Sequence, residues 1–217
     1  AICFKAPWTT PFEEKTEKNY FDEGRCTATY MYLADRIQYA ENDLYRSIIL
    51  PYGNGSYQMT VFLPKYGKTI NDLLAVMNGK IWNTADYKNY KVYVSFPTIE
   101  TDTNLDLEDI MTSLGMKNAF MKDDGHGFWD FCYYGENEAN SDPCWIRLMR
   151  QKAHLKLDQK GTEAAAATVI GMADKGMPHE MQTFVADRPF LYIISDRFTG
   201  SIFFMGQYMG EPIENAR

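Results

Sequence analysis

Histidine and cysteine carry much metal-dependent and nucleophilic chemistry, and in this chain of 217 residues they are sparse and scattered. The three histidines, His126, His154 and His179, share no HxxxH spacing, and Cys3, Cys26, Cys132 and Cys144 form no CxxC pair. A metal centre needs three or four converging ligands, so neither a metal nor a cofactor is expected. The DDGHG run around His126 lacks the ligand spacing of a calcium loop and reads as a solvated acidic turn. There is no GxSxG elbow and no glycine-rich phosphate cradle, and nothing marks a cysteine as an activated nucleophile. Cys132 and Cys144 bracket the polar stretch YYGENEANSDP. They either close a disulfide loop in an oxidising compartment or stay as two free thiols. A hydrolase built on either one would lack a partner constellation, so the chain is not expected to be an enzyme.

Composition narrows the partners. At 45% hydrophobic and 15% aromatic residues the chain is globular, with enough apolar material for a sizeable core. A net charge of −7 without any Lys/Arg run excludes a general nucleic-acid surface, which needs concentrated positive charge. The longest strongly apolar runs, FLYII and SIFFMG, are far shorter than the ~20 residues of a membrane span and read as buried strands. AICFKAPW has neither a basic region nor an extended apolar one, so it reads as no signal peptide.

Strand signals dominate the elements that must position any site. SIILPYGNG, SYQMTVFLPK, YKVYVSFP, AHLKL, PFLYII and GSIFFMGQY are rich in β-branched or aromatic residues and bounded by turn residues. GNGS between the first two reads as a hairpin connection. Two helices are predicted: TINDLLAVMNGKIW, with Thr69 as N-cap, and DLEDIMTSLGM, ending at Gly115. The pattern excludes an all-helical fold and predicts an α+β chain that is predominantly β.

KGTEAAAATVIG, residues 160–171, resists this scheme. Alanine has the best helix propensity, yet the stretch lies between a strand pattern and the β-branched pair Val169 and Ile170. As a strand, its residues alternate between faces. Thr162, Ala164, Ala166, Thr168, Ile170 and Met172 share one side, while Glu163, Ala165, Ala167, Val169, Gly171 and Ala173 share the other. The single charge is on the second side, so the first could enter a sheet without burying an unpaired charge. An Ala-rich helical turn capped by Thr162 fits as well, and pattern alone leans slightly towards it.

KGTEAAAAT, FVADRPFLYII and GSIFFMGQYMGEP, in this order, resemble the diagnostic segments of the serpins, the serine protease inhibitor superfamily. AICFKAPWTTPF, SIILPYGNGSYQMTVFLPK and NLDLEDIMTSLGM fit the same order, so the likeness covers essentially the whole chain. It implies the serpin fold, three β-sheets with packed helices. Residues 1–217 would form a partial, C-terminal portion of that domain, lacking its N-terminal helical part. It further implies a suicide-substrate inhibitor whose partner is a target serine protease, held as a covalent acyl complex. Residues 159–183 would carry the hinge and the reactive-centre loop, with Gln159, Gly161, Thr162, Glu163, Ala164, Ala165, Ala166, Ala167 and Thr168 as hinge. Once cleaved, the hinge would insert into the main sheet as a new strand. A small-residue hinge tolerates solvent when exposed and fits a tight slot when inserted.

Counting from Gly161 by the family's usual spacing puts the scissile bond at Lys175–Gly176. A basic side chain there suits a trypsin-like protease with an acidic primary pocket. Met172 and Met177 are rivals that would suit elastase-like or chymotrypsin-like pockets. Three further positions follow from the same resemblance. Trp8 matches the tryptophan beneath the point of loop insertion, and Gln151 stands where many relatives have a histidine holding the central strands together. Gln159 replaces a common glutamate and Thr98 the lysine that pairs with it, so a hydrogen bond is expected in place of a charge pair. A secreted, periplasmic or cell-surface location is expected, with its export signal outside this chain. The competing expectation is a non-inhibitory serpin acting as a binding protein or chaperone.

Overall fold

In the computed structural model, residues 4–77, 85–121, 145–162 and 181–213 are described. The order is β1 (Ala6–Pro7), β2 (Thr16–Phe21), β3 (Cys26–Glu41), β4 (Tyr45–Tyr52), β5 (Tyr57–Pro64), α1 (Ile70–Val76), β6 (Lys88–Pro97), β7 (Ile99–Asp106) and α2 (Glu108–Ser113). A 3-10 turn (Asn118–Phe120), β8 (Arg150–Asp158), β9 (Gly161–Thr162), β10 (Gln182–Val185), β11 (Phe190–Asp196) and β12 (Ile202–Tyr208) follow. Every strand expected from the sequence is present, and β1, β2, β3, β7, β9 and β10 are additional.

Two sheets organise these strands. The larger runs β10-β6-β3-β4-β5-β11-β12, with β2 also on β3; the smaller runs β1-β9-β8-β7. Where three sheets are expected, hydrogen bonding fuses two into the larger one. The cause is β3, whose 16 residues far exceed a usual strand. One edge of β3 pairs with β6 from Tyr30 to Tyr39, while the other pairs first with β2 (Cys26–Met31) and then with β4 (Gln38–Glu41). The GNGS segment forms the expected β4–β5 turn, with Gly53 and Gly55 both at positive φ.

By contacts the chain divides into two units. One comprises Thr101–His154; the other holds Ile2–Glu100 and Leu155–Arg217. In the first, α2 ends as predicted. Gly115 at φ +106° lets its own amide reach the Thr112 carbonyl and the Met116 amide reach that of Met111, which satisfies carbonyls that the helix end leaves open.

In the second unit, alternation in β4 sends Ile48, Leu50 and Tyr52 to one side of the larger sheet, where they join Trp8, Met59, Val61, Phe96, Phe190 and Ile194 in the main core. On the other side, α1 covers a smaller cluster in which Leu73 meets Tyr45, Phe62, Leu191 and Ile193. The predicted N-cap is in place. The Thr69 hydroxyl accepts from the Asp72 amide at 3.2 Å and the Asp72 carboxylate accepts from the Thr69 amide at 2.7 Å, a reciprocal capping box. The Thr69 amide and the Thr69 hydroxyl, at 2.8 Å, both donate to the Asp72 carboxylate and hold it below the usual carboxylate range.

Truncating Leu73, which is fully buried, to alanine is expected to destabilise this unit by about 2–5 kcal/mol, whereas Leu74→Ala, on the exposed side of the same turn, should change stability by less than about 0.5 kcal/mol. Denaturant midpoints of the two variants would check the contrast.

Candidate functional site

Of the residues singled out as a hinge, Gln159, Gly161 and Thr162 are described, and they lie at the Asp158 end of β8 in the smaller sheet. Asp158 ends β8, and its carboxylate accepts hydrogen bonds from the amides of Lys160 (2.8 Å) and Gly161 (3.3 Å). This Asx-type turn reverses the chain within two residues, Gln159 and Lys160. Gly161 and Thr162 then run back as β9. Thr162 lies opposite Leu157 of β8 on one side and Ala6 of β1 on the other, while Gly161 faces Asp158 and Pro7. Both pairings are antiparallel, so two hinge residues already occupy a slot between two strands.

Glycine is required at this point. Gly161 has φ +143°, and a Cβ added to it would lie 2.3 Å from the Ala6 carbonyl oxygen and 2.6 Å from Pro7 Cα. Both neighbours are backbone atoms, which cannot step aside without opening the β1–β9 pairing.

Aromatic packing supports the slot from below. Trp8 is buried and its indole Nε1 donates to the Asp158 carbonyl at 2.9 Å, tying the segment after β1 to the end of β8. The Trp8 amide donates to the Lys160 carbonyl and the Phe12 amide to that of Gln159, both at 2.9 Å. The indole stacks on the Tyr52 ring with centroids 4.3 Å apart, and Phe12 meets it edge-on. The Tyr52 hydroxyl, fully buried, sits 2.9 Å from the Thr162 hydroxyl, which is buried as well. Burial pushes the Tyr52 phenol far above its ordinary pKa, so it stays protonated.

Other expected site residues fall differently. Thr98 is half-buried and its amide donates to the Thr29 carbonyl at 2.8 Å. The side-chain amide of Gln159 reaches the Glu14 carbonyl, at 3.5 Å. The expected Gln159–Thr98 hydrogen bond is thus corrected: the Gln159 side chain turns to the Glu14 carbonyl instead. Gln151 lies on the same side of β8 as the buried Leu155 and Leu157, yet it is exposed. Glu163, Ala164, Ala165, Ala166, Ala167, Thr168, Met172, Lys175, Gly176 and Met177 lie outside the described residues, as do Cys132 and Cys144. Cys26 opens β3 as a free thiol. Among the described residues no group of His, Cys, Asp or Glu is placed to hold a metal ion, and no helix is long and apolar enough to cross a membrane.

Two functional residues escape sequence reasoning. Tyr52 is legible as an inward-facing aromatic before a turn, but its partner lies 110 positions away. Asp158, three residues before Gly161, carries the turn signal that could have marked where β8 reverses.

With this geometry described, comparison with known proteins is decisive. A serpin (serine protease inhibitor) family model matches residues 1–210. The chain belongs to the serpin family. It is 32% identical over 215 residues to an uncharacterized serpin-like protein of Thermococcus kodakarensis, covering 96% of this chain and 48% of that protein. It is 28% identical over 225 residues to human plasminogen activator inhibitor 2, covering 96% and 51%. The native-state crystal structure of the thermophilic serpin tengpin superposes with a TM-score of 0.73 at 21% identity, covering 94% of this chain and 52% of that one. The chain spans about half the length of the curated relatives it matches, and its fold is that of a partial serpin domain.

Gly161→Ala is expected to unseat β9 and to lower stability by more than about 1 kcal/mol, because both φ and space are denied to a methyl group. Hydrogen exchange over residues 157–162 would show it as lost protection.

Proposed function

We propose that the protein to which this chain belongs is a suicide-substrate inhibitor of trypsin-like serine proteases, acting by insertion of its cleaved reactive loop. The observation that carries this reading is the seating of Gly161 and Thr162 in register with both β1 and β8. Thr162 faces the core, so continuing the same register sends Ala164, Ala166, Thr168 and Ile170 inward and leaves Glu163 outward. Glu163 would then stand opposite Lys156 of β8, whose ammonium is exposed on the outer face of the sheet. That register supports reading the alternation as a strand rather than a helical turn.

Energetics supply the drive. About a dozen new backbone hydrogen bonds at ~0.5–1.5 kcal/mol net each, with burial of Ile170 and Met172 at ~1.5–3 kcal/mol each, would be released on insertion. The loop-exposed form is then a store of free energy. Thr162 to Lys175 as a strand spans roughly 46 Å at about 3.3 Å per residue, which carries an acylated protease from one end of the sheet to the other. The chemistry is the protease's own: its serine attacks the Lys175 carbonyl and the amine of Gly176 leaves. Export to an extracytoplasmic compartment belongs to the same proposal.

Full-length protein incubated with trypsin is expected to form an adduct that survives denaturing electrophoresis, with the acyl bond mapped to Lys175 by mass spectrometry. Thr162→Arg, which forces a charge into the buried first rung, should convert the protein into a substrate that is cleaved without an adduct. Cleavage without an adduct in the unaltered protein would favour a non-inhibitory serpin, and unchanged inhibition by Thr162→Arg would refute the insertion mechanism.

A further inference from the structure

Among the described residues the hydroxyl of Tyr52 has one hydrogen-bond partner, and that partner belongs to the hinge. Tyr52 lies on β4, is fully buried, and is fixed from the side by the stacked indole of Trp8. The segment after β1 is itself tied down: the Thr9 amide donates to the Pro51 carbonyl and the Gly53 amide to that of Pro7, at 2.9 and 2.8 Å. Tyr52 therefore has no freedom to follow Thr162 if β9 leaves its slot. Withdrawal of the hinge would strand a protonated phenol with an unmet hydrogen bond in the core, and an orphaned buried donor is more unfavourable than a made hydrogen bond is favourable.

We propose that Tyr52 is a positioning residue, a latch whose hydroxyl holds Thr162 in the slot before the loop is cut and so sets how cleaved molecules divide between inhibition and simple turnover. The proposal rests on the inhibitor reading above and deepens it. Strand growth from a rung already formed on both sides needs only local additions, whereas growth from an empty slot must first close a loop. After acylation, insertion competes with hydrolysis of the acyl bond. A latched hinge begins that race with its first rung in place. Tyr52 lies in the core beneath the hinge and acts only through Thr162, so the rate of the initial protease encounter is untouched by it.

The test uses full-length Tyr52→Phe, Thr162→Val, Thr162→Ser and the Tyr52→Phe/Thr162→Val double variant, with trypsin as the protease. Tyr52→Phe is expected to raise the number of inhibitor molecules consumed per protease inactivated by about fivefold, the effect of one typical hydrogen bond, with the association rate unchanged. Thr162→Val, which leaves the Tyr52 hydroxyl orphaned, should do at least as much. Thr162→Ser should behave as the unaltered protein, and the double variant should be no worse than Thr162→Val alone, because both changes break one interaction. Hydrogen exchange over residues 159–162 in the uncleaved protein is expected to accelerate in Tyr52→Phe. Equal stoichiometry and equal exchange in Tyr52→Phe and the unaltered protein would overturn the latch. If the unaltered protein forms no covalent complex, the inhibitor reading fails instead, and exchange alone then decides whether Tyr52 holds the hinge.

Discussion

Everything at the hinge depends on one steric fact: two strands, β1 and β8, stand far enough apart to accept a third, but only a residue without a Cβ fits at the mouth. Gly161 passes within contact distance of the Ala6 and Pro7 backbone at a φ that side chains rarely adopt. The Asp158 turn delivers the chain to this gap, and Thr162 then pairs with both neighbours. Had the turn held three residues instead of two, the pairing of β9 with β8 would turn Thr162 outward. Turn, glycine and register therefore form one device, in which the two-residue length of the Asp158 turn decides which face of β9 is buried.

The smaller sheet is also asymmetric in how its strands are held. On its outer face β7 presents acids and β8 presents bases. Glu100 meets Lys156 at 3.1 Å, and Asp102 meets His154 at 2.8 Å. These groups are exposed, so each pair contributes little to stability. Their value is in register, since a slip of β7 by one residue would remove both pairs. The β1 side of the slot has different restraints, the Trp8 indole on the Asp158 carbonyl and the main-chain bonds to Lys160 and Gln159. Those restraints all lie at the turn end of β8.

Much of this was legible in the sequence where local chemistry is strong. The Thr69 cap, the Gly115 helix end, the GNGS turn and the strands β4, β5, β6, β8, β11 and β12 follow from turn residues and apolar content. Elements shaped by tertiary pairing were not. β7, IETDTNLD, is acidic and mostly exposed, with little strand propensity beyond Ile99 and its threonines; it is a strand because β8 lies beside it. β3 carries Asp35, Arg36 and Glu41, and its burial shows no clean period of two because its partners change along its length. At the hinge, the order of motifs pointed to Gly161 and Thr162, but not to Tyr52, whose role exists only once distant segments meet. The Gln159–Thr98 hydrogen bond is absent for a related reason: no charge draws these two neutral side chains together, and the Gln159 amide donates to the Glu14 carbonyl instead.

The central claim is that the loop-exposed form holds free energy which insertion releases. Differential scanning calorimetry on the full-length protein, before and after cleavage at the loop by a protease that does not become trapped, tests it most directly. The account predicts a clear rise in melting temperature on cleavage, because each added 1 kcal/mol moves the midpoint upward, by about 2–4 °C in a domain of about 150–250 residues and by less in a larger one. A cut protein that melts at the same temperature as the uncut one, or below it, would contradict the account.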